Sequence, residues 1–168
     1  MTNSSQNFWG FSVELYQQEG IAPACLKLQN KFGLDVNLVL LCFWYGHTTG
    51  SMGPEALQAS IKFSDQWRMQ VVNPLRQSRQ WMKVNQPKSA SHHGGFNRVR
   101  EEIKSVELAA EKHQQECLQD IVWQESMNDE DKGVAGIDAN LEALLKHLNI
   151  TECDTLNAAL AVIRRSVV

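Results

Sequence analysis

The chain has 168 residues and a mass of 19.0 kDa, long enough to bury a core without a disulfide or a metal. Hydrophobic residues make up 43% and charged residues 21%, which excludes a disordered, collagen-like or low-complexity chain. A net charge of −3 and a pI of about 5.9 argue against a general nucleic-acid binder.

In chain order, the polar start Met1–Asn7 has no basic stretch followed by an apolar one, so no signal peptide is expected. Phe8, Phe11 and Leu15, with Trp9, Val13 and Tyr16, fall at helical spacings over 7–18, with Asn7 as N-cap. Pro23 opens a second helix over 23–32, and Gly33 stops it. Asp35 caps the apolar segment that follows, which Gly46 ends. Its β-branched and aromatic residues would suit a strand, but no other segment offers hairpin or alternating signals to pair with one. A fully buried central helix is therefore expected.

The loop 46–53 leads to Pro54 and a long helix over about 54–84, kinked at Pro74. Phe63, Trp67, Val71, Leu75, Trp81 and Met82 fall on one side of it. Residues 85–96 read as a flexible connector rich in Pro, Ser and Gly. A second long helix over 97–126 repeats Ile103, Val106, Ala110, His113, Cys117 and Ile121 as a heptad-like seam. A polar loop over 128–136 precedes two short helices, 138–148 and 154–165. The fold class is all-α: one helical bundle over 1–168, its two long helices packed with shorter terminal ones.

The sequence also carries a run of uncommon residues in order. These are Phe8-Trp9, Phe11-Ser12, Leu15-Tyr16, Ala24-Cys25-Leu26, Leu28-Gln29, Asp35-Val36-Asn37, Trp44, Trp67, and Val71-Val72 before Pro74-Leu75-Arg76. Over about residues 8–83 the chain resembles a bacterial family of small proteins of unknown function. The resemblance implies a cytosolic, helical bacterial protein and carries no catalytic residues.

Charge is segregated along the chain. Residues 1–61 carry a net −2, residues 62–100 a net +7 and residues 101–168 a net −8. Arg68, Arg76, Arg79 and Lys83 lie within about 80° of one another on a continuous helix. Such a face can bind a protein or the phosphates of a nucleic acid. It can also pair with the acidic helix, which carries Glu101, Glu102, Glu107, Glu111, Glu116 and Asp120. Internal pairing of part of the stripe, with the rest left for a partner, is the expectation.

Other chemistries find little support. The loop 46–53 precedes a helix N-terminus but lacks the Walker lysine, so it reads as a helix connection. His113 and Cys117, four apart on one face, are the metal candidates, and they also suit a packed seam. Isoprenoid chemistry needs paired acidic motifs on facing helices, and the nearest run, Asn128-Asp129-Glu130-Asp131, has no partner. The four cysteines at 25, 42, 117 and 153 fit no disulfide framework and are expected to be reduced.

The leading reading is a cytoplasmic interaction module without catalytic machinery or cofactor. Its site would be Arg68, Arg76, Arg79 and Lys83, and its partner a protein or nucleic acid. The alternative is a helical small-ligand or lipid-binding protein with an aromatic pocket from Phe8, Trp9, Trp44 and Trp67. A third reading is a metal-dependent enzyme. The longest apolar run, Leu38–Tyr45, is too short for the roughly 20 residues of a membrane helix, so no membrane partner is expected. Partner identity and oligomeric state, monomer or homodimer, stay open.

Overall fold

The computed structural model describes residues 7–124 and 131–168. Their regular structure is helical throughout, with no strand among the described residues. The first three helices are α1 (Phe8–Tyr16), α2 (Ile21–Phe32) and α3 (Val36–Thr48). Asn7 caps α1, its Oδ1 accepting from the Gly10 amide at 2.8 Å. Asp35 caps α3 the same way, accepting from the Asn37 amide at 2.9 Å. Gly33 closes α2 at φ 65°, in the left-handed region that a residue without Cβ enters freely.

Every residue of α3 from Leu38 to Gly46 is buried, so this helix is the centre of the bundle. It packs most closely on α7 (Val134–His147). Gly46 does not end α3, as the sequence suggests; the helix continues to Thr48. Gly46 is instead the crossing point with α7. A Cβ at Gly46 would stand 2.5 Å from the Ile137 nitrogen, and one at Gly136 would stand 2.9 Å from the Gly46 oxygen. The Gly133 amide donates to that same oxygen at 2.9 Å. Both neighbours are backbone, so neither helix can yield locally. Gly46→Ala should therefore lose about 1–3 kcal/mol of stability by overpacking, despite the better helix propensity of Ala. Urea unfolding of the variant checks this, and an unchanged midpoint would remove the close crossing.

The long helix over 54–84 is α4 (Pro54–Trp67), a π turn (Arg68–Val72) and α5 (Asn73–Val84). The Asn73 amide donates to the Arg68 carbonyl, the wider i→i+5 spacing. This turn stands directly before Pro74, whose ring and missing N–H would break regular α-helical bonding there. The connector is shorter than expected. A 3₁₀ turn covers Ala90–His92, and α6 starts at His93 and runs to Val122, so Gly94 and Gly95 are helical. The His93 ring, its Nε2 2.8 Å from the Pro87 oxygen, closes the hairpin. The expected end of this helix at 126, and Asn128-Asp129-Glu130, lie outside the described residues. α7 begins before Asp138, and α8 spans Asp154–Val167. Asp138 pairs with Arg164 of α8 instead of capping.

Two face assignments need correction. Along α4 and α5 the side turned to α6 holds Ser64, Trp67, Arg76 and Arg79, so Trp67 faces inward as expected, while Trp81 is 62% exposed. Along α6 the buried positions are Glu107, Ala110, Gln114, Gln115, Leu118 and Val122, and Val106 and His113 are exposed. The α4/α5–α6 seam is thus largely polar, which a hydrophobicity pattern cannot reveal. The apolar cluster lies on the other side of α3, with contributions from α1, α2, α4, α7 and α8 and the Leu118 end of α6.

Candidate functional site

Three of the four residues of the basic stripe meet carboxylates of the same chain. Arg76 donates from Nε to Glu107 Oε1 at 3.2 Å and from Nη2 to Glu111 Oε1 at 2.8 Å. Arg79 donates from Nε to Glu107 Oε2 at 2.6 Å and from Nη2 to Glu107 Oε1 at 3.2 Å, a bidentate pair. Arg68 Nε lies 3.9 Å from Asp35 Oδ2. Lys83 is exposed, with no ion pair among the described residues.

The pairing shows in the titration of these groups. Burial would push the Glu107 carboxyl up, but the hydrogen bonds from Arg79 and Arg76 outweigh it and hold Glu107 below the usual carboxylate range. Hydrogen bonding to Glu107 raises Arg79 in turn. Glu111 goes the other way: burial raises it, and Arg76 only partly opposes that.

Beside this ladder, α1, the start of α3, the π turn and α6 enclose a cleft of about 390 Å³. Its floor is a buried polar network. The Gln114 amide donates to Asp35 Oδ2 and Ser64 Oγ, both at 2.7 Å, and Ser64 Oγ donates to Asp35 Oδ2. Asn37 Nδ2 donates to Gln114 Oε1 at 2.9 Å, and Gln115 Nε2 donates to Asn37 Oδ1 at 2.8 Å. Trp9, Val13, Leu34, Val36, Val72 and Leu108 supply apolar wall, and Arg68, Arg76 and Glu111 reach its rim.

Two atoms of the wall stand outside the network. Ser12 Oγ and Gln115 Oε1 are buried and bond to nothing, although both residues are only 2% exposed. Leaving a buried polar atom unpaired costs about 1–3 kcal/mol. The arrangement offers a ligand an apolar bed, a guanidinium and a carboxylate oxygen.

The expected aromatic pocket does not assemble from its four residues. Phe8 stacks on Trp44 at 5.3 Å, and both are core. Trp67 lies across α6, where its Nε1 donates to the Ala110 oxygen at 2.9 Å and its ring is 4.9 Å from His113. Trp9 alone lines the cleft. His113 Nε2 and Cys117 Sγ are 3.5 Å apart, with no group of three metal-ligating side chains among the described residues. The loop after α3 spends its amides internally, Ser51 on Asp131 Oδ1 at 2.9 Å and Met52 on Asn140 Oδ1 at 2.6 Å.

Sequence reasoning took Asp35 for a cap alone and passed over Ser12, Ser64, Gln114 and Gln115. One signal was present: Ser60 and Ser64 lie one helical turn apart on a face that also holds Leu57 and Ile61.

No helix among the described residues is long and apolar enough to cross a membrane. No curated protein and no solved structure matches the chain. A family model described as a protein of unknown function, DUF2390, matches residues 7–118, a stretch that holds the whole cleft wall, and the chain belongs to that family.

Proposed function

We propose that this protein binds a small molecule in the cleft between α1, α3, the π turn and α6. The observation that carries the reading is the unused hydrogen-bonding capacity of its wall: the Arg68 Nη groups and Glu111 Oε2 have no partner among the described residues. The buried network of its floor is hydrogen-bonded within itself, so these wall groups are the ones left for a partner from outside. The volume falls within the range of small-molecule sites, and the π turn that builds one wall is a device often found at such sites. Binding without turnover is favoured because Ser12, the hydroxyl nearest to a nucleophile's role, has no hydrogen-bonded base. The four free cysteines support a reducing, cytoplasmic setting.

A thermal-shift screen of small apolar and aromatic compounds tests this. A ligand at 100 times its Kd should stabilise the fold by about 2.7 kcal/mol. Val13→Trp, a change at a 40% exposed position on the wall, should fill the cleft and remove the shift. A ligand that shifts the variant equally would place binding elsewhere.

One observation supports the interaction reading beside it. Lys83 is exposed next to Trp81 at 62% and Val84 at 79%, so the end of α5 presents apolar and cationic groups together. A protein or nucleic-acid partner held there should dissociate steeply with salt, while a ligand in the cleft should respond weakly.

A further inference from the structure

The charges around the cleft say what kind of molecule it takes, given that the cleft binds a small molecule at all. Its titratable wall residues are Tyr16, Asp35, Arg68, Arg76 and Glu111, two cations against two carboxylates. Each cation stands beside a carboxylate, Arg68 by Asp35 and Arg76 by Glu111, so the wall is neutral in sum. On the π turn, Arg68 touches a carboxylate only through Nε, at 3.9 Å, and its two Nη groups have no partner among the described residues. On α6, Glu111 gives Oε1 to Arg76, and its Oε2 has no partner among the described residues.

Unpartnered donors therefore stand on the π turn and an unpartnered carboxylate oxygen on α6. We propose that the ligand is a zwitterionic α-amino acid with an apolar side chain. Its carboxylate meets the Arg68 guanidinium, its ammonium meets Glu111 Oε2, and its side chain lies against Trp9 and Val13. A guanidinium fork matches a carboxylate in two parallel hydrogen bonds. An ammonium supplies the charged donor that the Glu111 carboxylate lacks on Oε2. A singly charged ligand would add an unbalanced charge to a wall that is neutral in sum, which a half-buried site penalises.

Isothermal titration of the full chain at moderate salt tests the proposal with named probes. L-Phenylalanine and L-leucine carry both charges, 3-phenylpropionate the carboxylate alone, 2-phenylethylamine the ammonium alone, and 3-phenyl-1-propanol neither. At least one of the two amino acids should bind at least tenfold more tightly than any of the other three. Arg68→Gln should erase the advantage over 2-phenylethylamine, and Glu111→Gln the advantage over 3-phenylpropionate. The ranking on the unaltered protein stands by itself should either variant fold poorly. If a singly charged or neutral probe binds as tightly as the better amino acid and Val13→Trp blocks it, the zwitterion is wrong and the cleft reading survives. If no probe binds, both fail. Amino-acid binding that survives Val13→Trp overturns the placement.

Discussion

Trp44→Ala should destabilise the protein by about 3–5 kcal/mol, the cost of truncating a fully packed aromatic side chain. Trp44 is 3% exposed on the central helix, stacked on Phe8 at 5.3 Å and set against Trp123 at 6.2 Å. Three helices meet at this ring: α1 through Phe8, α3 itself, and α6 through the Trp123 that follows it. The α3 backbone is locked at the Gly46 crossing, so the hole cannot close by sliding α3 toward α1. Trp81→Ala is the internal control. The same side chain is removed from a 62% exposed position, and the loss should stay within about 0.5 kcal/mol. Urea unfolding followed by circular dichroism measures both. Equal losses at the two positions would contradict the assignment of core and surface.

These two tryptophans also show how far the sequence could be read. Where a helix buries apolar residues, the pattern works: the run from Leu38 to Tyr45 is an interior helix, and its cap at Asp35 and the Gly33 stop of α2 before it act as local chemistry dictates. Where a helix buries polar residues, the pattern inverts. The seam between α6 and the α4/α5 helix is held by Ser64, Arg76, Arg79, Glu107 and Gln114. A periodicity argument turns such residues to solvent, which is why Trp81 and Val106 were expected inside. The charge segregation between 62–100 and 101–168 pointed to the ladder between Arg76, Arg79 and the two glutamates. The cleft was not legible. Its wall is drawn from positions 9 to 115 in six helical elements, and its informative atoms, the Arg68 Nη groups and Glu111 Oε2, are defined by hydrogen bonds they do not make.

The arginine ladder yields the second large effect, and its sign can be worked out from both partners. Glu107 is 8% exposed and accepts from two guanidinium groups. Arg76→Glu with Arg79→Glu would set two further carboxylates against Glu107 and Glu111. Breaking a buried pair while leaving one charge behind costs about 3–5 kcal/mol. The arginines are 21% and 27% exposed, so water repays part of this, and about 3 kcal/mol is expected. Adding Glu107→Lys and Glu111→Lys should restore opposite charges across the seam and recover part of the loss, which mere removal of favourable side chains would not allow. The pH profile separates the two glutamates. Glu107 is held below its ordinary value, so its contribution is present above the unfolded-state value and fades as pH falls through the depressed one. Glu111 is raised by burial, so the fold loses some stability as pH rises from the ordinary carboxylate range through the raised value. Glu107→Gln should flatten the acid limb of the stability curve, whereas Glu111→Gln should lift the neutral side of it. Thermal melts of the two variants between acid and neutral pH read both limbs, and identical profiles for the two would refute the opposite roles given to these neighbours on one helix face.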